Sequence, residues 1–389
     1  MTTTAQQHTI AGRYIDFHVL QSVPYANLNR DDTNSVKTVQ YGDRERTRVS
    51  SQCWKRAVRR YFQRSIGEKA LRTRRIGEAV ERELQQERDW PADLARRAGQ
   101  HIAAGSSIKA DPPSEEEPAW STNAMVYVPT SAVTELADLA HAHRDELEGA
   151  KDMKKGVKSI LPQADIDAVL RSRNGIINLF GRMLAEVDDA GVDGAVQLAH
   201  ALTTHGTDVE VDYFAAVDDI TDAWRDTAGS AHMGSSEFSA GVFYRYATLD
   251  LADLLRNIGG DVAAATTLAT AFGEAFVLSL PEAKKTSTAP HTIPDLVHLS
   301  VRSDRPLSYA AAFEKPVGAD RSGGFAEPSR RALADYAQAA SRLLGSRGVL
   351  HSGWASLEDK DLAGLGSRVD SFDELITGAV TAALSEATA

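Results

Sequence analysis

Cysteine is nearly absent from the chain: Cys53 stands alone. One thiol excludes an intrachain disulfide framework and any zinc site built on several cysteines. No apolar run reaches the roughly 18 residues that a membrane span needs. The opening MTTTAQQHTIAG has neither the basic start nor the apolar stretch of a signal peptide, so a cytosolic protein is expected. No GxGxxG follows an early strand pattern and no HExxH occurs, which weakens the dinucleotide-binding and zinc-protease readings. No internal repeat period is visible. What remains is ample for folding. Hydrophobic residues make up 42% and charged residues 25% of 389, which excludes wholesale disorder. At about 150 residues per domain, two or three domains are expected, with one large irregular domain as the alternative. The net charge of -11 argues against a uniformly basic surface, but distribution matters more than the sum.

The charge is distributed unevenly. Residues 41–75 carry twelve Lys/Arg against three Asp/Glu, a local balance of +9, so the rest of the chain carries -20. A segment this basic inside an acidic protein is a candidate for binding a polyanion; a solvated helix face is the plain alternative. The detail favours the first. Arg44, Arg46 and Arg48 alternate, which puts them on one face of a strand or extended arm. Ser50, Ser51 and Gln52 then offer helix-cap residues. Trp54, Val58 and Phe62 recur every four residues as a buried stripe, flanked by Lys55, Arg56, Arg59 and Arg60. The stripe seats the helix on a core while the basic flank faces out. The cap end presents backbone N–H groups that suit a phosphate. Cys53, at the start of this helix, has no paired histidine and reads as a packed bystander.

Along the chain, 13–20 alternates as a strand and a turn-rich loop follows. A helical region is expected over 52–105 and an exposed linker over 105–120. Helices are expected at 126–150 and 162–172. NGIINLF at 174–180 reads as a short strand, VEVDYFAAV at 209–217 as a hairpin strand, and 241–251 and 296–303 as strands. Helices are expected at 261–280, 328–346 and near 370–385, with a loop at 284–295. This order suits an α+β sandwich, with helices against an antiparallel sheet and a helical insertion.

Acidic pairs raise a second function. Asp31-Asp32, Asp188-Asp189 and Asp218-Asp219 are possible Mg²⁺ ligands of a nuclease. Adjacent aspartates on a strand point to opposite faces, so each pair alone is a poor clamp. His200, His205 and His232 invite a zinc reading, but a hydrogen-bonding or packing role suits their spacing better.

Four segments carry a resemblance. They are HVLQSVPYANLNRDDTNSVKTVQYGDRERTRVSSQCWKRAVR at 18–59, HALTTHGTDVEVDYFAAVDD at 200–219, SAHMGSSEFSAGVFYRYATLDL at 230–251 and AAFEKPV at 311–317. Together they resemble, in order, the Cas7 backbone family of type I-E CRISPR Cascade complexes (CasC/Cse4), from about 13 to 345. The resemblance implies a right-hand shape: a modified RRM-like, ferredoxin-type palm, helical fingers and an extended thumb hairpin or loop. The corresponding divisions are palm at 13–59, fingers at 60–172, palm at 173–197, thumb at 198–236, palm at 237–350 and a C-terminal segment at 351–389. It further implies a non-catalytic subunit without cofactor. Six copies stack along one CRISPR RNA and bind its backbone, and the thumb leaves every sixth guide–target position unpaired. Implied partners are guide RNA, the target DNA strand, neighbouring copies, other Cascade subunits and, indirectly, a recruited helicase-nuclease. Residue by residue, the resemblance carries RNA binding to Asn27, Asn29, Arg30 and Lys37, to Ser50, Gln52, Lys55, Arg56 and Arg59, and to the segment holding Arg182 and Met183. The strand arginines Arg44, Arg46 and Arg48 join them on charge. Tyr213 and Phe214 are candidate wedges between bases; for Phe214, packing of the hairpin is the plainer role, and for Met183 a place in the core.

Overall fold

The computed structural model describes residues 10–216, 232–345 and 348–386. The chain divides into two compact units. One comprises Met1–Phe62, Val196–Ala252 and Gly260–Ala389, the other Gln63–Ala195 and Asp253–Gly259.

The first unit is built on one large mixed sheet. Across it run Ser367–Arg368, Val349–Ser356, Leu296–Arg302, Tyr14–Ala26, His232–Asp250, Ala201–Thr203, Arg44–Val49 and Thr38–Tyr41. Glu210–Ala216 and Val196–Leu198 also pair with the long strand His232–Asp250. Pairing is antiparallel except between Val349–Ser356 and Ser367–Arg368. The central strand alternates in sequence as though one face met water, yet Ile15–Leu20 are all buried. Both faces are covered, as in sheets layered between helices. Phe17 packs edge-on against Phe272 and Phe276 of helix Val262–Leu278. On the other face, Leu20 joins Tyr244, Tyr309, Phe313 and Leu333, the last on helix Ala326–Leu344. Asp16 and His18 are therefore buried polar groups, not a solvent face. Helix Phe372–Leu384 is capped by Ser371, whose Oγ accepts from Glu374 N at 3.1 Å.

The second unit holds helices Ile76–Gln86, Ala92–Gly105, Ser131–Ala142 and Gln163–Leu170 around Val80, Leu84, Leu94, Ile102, Leu136 and Ile166. The first two cross closely because Gly77 faces Gly99. A Cβ on Gly77 would lie 2.2 Å from the Gly99 carbonyl oxygen.

Several expected elements differ. NGIINLF is a helix, Gly175–Phe180, not a strand. Asn174 Oδ1 accepts from Ile177 N at 3.2 Å, and Gly181 at φ 79° ends it, so cap and stop outweigh the β-branched residues. The region 52–105 is broken by the strand Ala70–Thr73, which pairs with Val126–Pro129 inside the expected helix 126–150. The strand Val349–Ser356 was not foreseen, because its Gly353 and serines hide the pattern. Lys285–Thr288 forms one helical turn in the expected loop 284–295.

Candidate nucleic-acid interface

Helix Ser51–Ile66 buries Trp54, Val58 and Phe62, the stripe read from spacing, and leaves Gln52, Arg56 and Arg60 exposed with Lys55 and Arg59 half-buried. Its seat has an unusual partner. The buried guanidinium of Arg245 lies 4.0 Å from the Trp54 ring centre, donates to Gln21 Oε1 at 2.6 Å and bonds the Phe276 carbonyl. Burial pulls the Arg245 pKa down to about 9, so the guanidinium stays charged at neutral pH beneath the helix. Arg60 also pairs with Glu282 at 2.7 Å.

The loop before the helix is locked to its start. Asn29 Oδ1 accepts from Ser50 N at 2.9 Å, and Lys37 N donates to the Asn29 carbonyl at 3.3 Å. Arg48 N donates to the Lys37 carbonyl at 2.8 Å. Asn29, Lys37, Arg48, Ser50 and Gln52 are thereby gathered at one end of the helix. Arg30 is exposed and bonds Asn34 Oδ1 at 2.7 Å. Arg44 is exposed at the hairpin Thr38–Val49.

Some expected residues build the site without lining it. Arg46 is fully buried, where Nη1 and Nη2 donate to the carbonyls of Thr203 at 2.9 Å and Phe313 at 3.1 Å. It shares a strand face with Arg44 and Arg48, but the 310–313 turn covers that face at its position. Asn27 is buried and donates to the Glu237 carbonyl at 2.9 Å. Ser50 is buried too, and its Oγ accepts from Cys53 N at 3.3 Å. The backbone N–H groups expected to face a phosphate are thus partly taken up: Cys53 N by Ser50, and Ser51 N by His200 Nδ1 at 2.9 Å. His200 was seen in the sequence only as a hydrogen-bonding or packing residue. Burial raises the Cys53 thiol pKa, which keeps it protonated.

In the second unit Arg182 is buried and donates to the carbonyls of Ala190 at 2.7 Å, Tyr127 at 3.1 Å, Ser172 at 2.8 Å and Arg171 at 3.0 Å. Burial lowers its pKa to about 10, and its donors are spent on the fold. Met183 beside it is 93% exposed, on an open depression of about 850 Å³ shared with Arg72 and Phe180. The core role expected of Met183 is excluded by that exposure.

Tyr213 and Phe214 lie on the hairpin formed by Glu210–Ala216 and His232–Asp250, opposite Ser235 and Gly234. Adjacent strand residues point to opposite faces. Tyr213 is 79% exposed and Phe214 47%. A Cβ on Gly234 would lie 2.5 Å from Phe214 Cζ, so that ring rests across the glycine. The remainder of the expected thumb, 217–231, lies outside the described residues, as does the pair Asp218-Asp219.

Asp31 ties its own loop together. Asp31 Oδ1 accepts from Thr33 N at 2.9 Å, Thr33 Oγ1 at 2.8 Å and Ser35 N at 2.8 Å. The Thr33 hydroxyl is the largest cause holding its pKa below the usual value. His205 is buried; its Nδ1 lies 2.8 Å from the Gly206 carbonyl and its Nε2 accepts from Val242 N at 3.2 Å. Among the described residues no group of three or more His, Cys, Asp or Glu is arranged to hold a metal ion.

A family model described as CT1975-like protein matches residues 15–378. The chain belongs to that family. Among solved structures, a chain from one described as "CRISPR RNA-guided surveillance complex, pre-nicking" is similar at 45% identity and a TM-score of 0.88. The match covers 95% of this chain and 100% of that one. A chain from another, described as "CRISPR RNA-guided surveillance complex", is similar at 40% identity and a TM-score of 0.78, with 95% and 100% coverage. No curated protein sequence matches. Among the described residues no helix is long and apolar enough to cross a membrane.

Proposed function

We propose that this CT1975-like chain is a Cas7-type backbone subunit of a CRISPR RNA-guided surveillance complex, of type I-E, and that it binds the guide RNA through its backbone. The observation that carries this is the helix Ser51–Ile66, seated by Trp54, Val58 and Phe62 beside the locked Asn29–Lys37 loop, in a chain 45% identical over 95% of its length to one from such a complex. A subunit that must accept any guide cannot depend on base edges, so phosphate and ribose contacts carry the binding. Sequence is delegated to Watson–Crick pairing.

In this reading Asn29, Arg30, Lys37, Arg44, Arg48, Gln52, Lys55, Arg56 and Arg59 meet the guide, while Asn27, Arg46 and Ser50 hold that surface in shape and Arg182 braces the second unit. Met183, Tyr213 and Phe214 are the exposed apolar side chains that meet bases. Palm, fingers and thumb divide the chain, and six copies follow one guide so that the thumbs interrupt the pairing with target DNA. Other Cascade subunits complete the assembly, and a separate helicase-nuclease cuts. The subunit itself is not an enzyme, and it works in the cytoplasm.

The test is expression of the chain with its partner subunits and a CRISPR array, followed by purification through a tag on this chain. A co-purifying RNA of uniform length is the expected result. Recovery of the chain without RNA, or cleavage of labelled RNA in Mg²⁺ that stops on replacing Asp31, would overturn the reading in favour of a nuclease.

A further inference from the structure

We propose that His200 is a further guide-contacting residue, which presents an uncharged N–H donor to a phosphate beside Arg48. The inference rests on the guide-binding reading above and adds a residue to that site. Its basis is the tautomer. His200 Nδ1 accepts from Ser51 N at 2.9 Å, and Arg48 Nη1 lies 3.4 Å from the same nitrogen. The peptide N–H always carries its hydrogen, so Nδ1 is bare and the one proton of the neutral ring is on Nε2. Partial burial and the Arg48 charge both lower the ring's pKa, which keeps it neutral at pH 7. The residue is nevertheless exposed.

The geometry therefore fixes a donor in a setting that suits an anion. Arg48 stands beside the ring, and Ser51 and Gln52 follow at the first turn of the basic helix. Of the backbone N–H groups of that turn, those of Ser51 and Cys53 are already taken up by His200 and Ser50. The imidazole instead accepts on one edge and donates from the other, between helix and solvent. An uncharged donor differs from a lysine or arginine in one measurable respect. It binds a phosphate oxygen without adding a charge that displaces counterions, so it contributes affinity without contributing to the salt dependence.

The test is a salt titration of full-length chain binding to a labelled single-stranded RNA of mixed sequence, for wild type and His200→Asn. The asparagine carbonyl can replace Nδ1 as acceptor for Ser51 N–H, but its amide does not reach as far as Nε2. The expected result is binding about tenfold weaker, with the slope of log K against log salt and the melting temperature unchanged. A loss smaller than threefold would mean that the ring only caps the helix, and overturns the proposal. A slope flattened by about 0.7 would mean that it acts as a cation, and overturns it equally. If His200→Asn melts early, its titration is repeated with wild type at a temperature well below its melting point, where both are folded. Loss of threefold or more then upholds the proposal, and a smaller loss overturns it. Failure of the broader reading looks different: wild type itself then does not bind RNA.

Discussion

Lys55 and Arg59 stand one helical turn apart beside the buried stripe, both half-buried. Replacing both by alanine is expected to weaken guide binding, leave the melting temperature within a few degrees, and flatten the slope of log K against log salt by about 1.4, from ~0.7 per single-strand phosphate contact. A folded double variant with an unchanged slope would assign that flank to solvent. A second residue-scale prediction concerns the sheet core. The rings of His18 and His298 stack with centres 5.2 Å apart, both buried. Burial lowers both pKa values, that of His298 to about 4. Between the unfolded value near 6.5 and that folded value, the unfolded chain binds more protons, so stability is lost as pH falls through this window. Nearby Asp16 acts in the opposite sense. Burial raises its pKa to about 6, so its folded form keeps a proton that the unfolded chain releases from pH ~4 upward, and acidification favours folding there. Two histidines outweigh one carboxyl, and the melting temperature is expected to fall between pH 6.5 and 4. His298→Gln should reduce that fall and Asp16→Asn steepen it. A pH profile of melting for His298→Gln that superimposes on wild type would refute the assignment.

At the scale of elements, the basic helix works because its stripe is anchored before its flank is offered. Trp54 packs on the buried Arg245 guanidinium, and Trp54→Ala removes that packing and leaves the cation the Phe276 ring as its aromatic contact. A loss of about 3–5 kcal/mol is expected in denaturant melts, the usual range for a buried tryptophan. That contrasts with the near-neutral effect expected for the Lys55 and Arg59 double variant. Much of this element was legible in the sequence, because a four-residue apolar period and a run of arginines are local signals. The hairpin strand Glu210–Ala216 and the helices Val262–Leu278 and Phe372–Leu384 were legible for the same reason. What was not legible depends on distant segments. Whether Arg46 faces solvent or the carbonyls of Thr203 and Phe313 is decided by residues 157 and 267 positions away. The burial of Asp16 and His18 needs a second layer that no alternation announces. Gly175–Phe180 differs from the expected strand because a short run with four large apolar side chains, Ile176, Ile177, Leu179 and Phe180, suits a strand as well as a helix, and only Asn174 and Gly181 distinguish the two.

For the whole molecule the decisive quantity is how charge is arranged. A chain of net charge -11 repels a polyanion on average, so in the proposed reading the attraction comes from the +9 segment 41–75 with Arg30 and Lys37 before it. Within that segment the groups offered on the first unit are guanidinium, ammonium and amide donors on Arg44, Arg48, Gln52, Lys55, Arg56 and Arg59. Such donors match phosphate oxygens, which are the same in every guide. In the proposed reading the exposed side chains of Met183, Tyr213 and Phe214 would meet a base through its face, and every base has one. Neither set discriminates between bases as paired hydrogen bonds to base edges would. Two unrelated guides of equal length are therefore expected to bind the assembled complex within about tenfold of each other, that is within ~1.4 kcal/mol, and with the same salt slope. The measurement is competition of unlabelled guides against one labelled guide at several salt concentrations. A hundredfold preference that persists at all of them would place base-edge contacts in this subunit and refute a backbone-only grip.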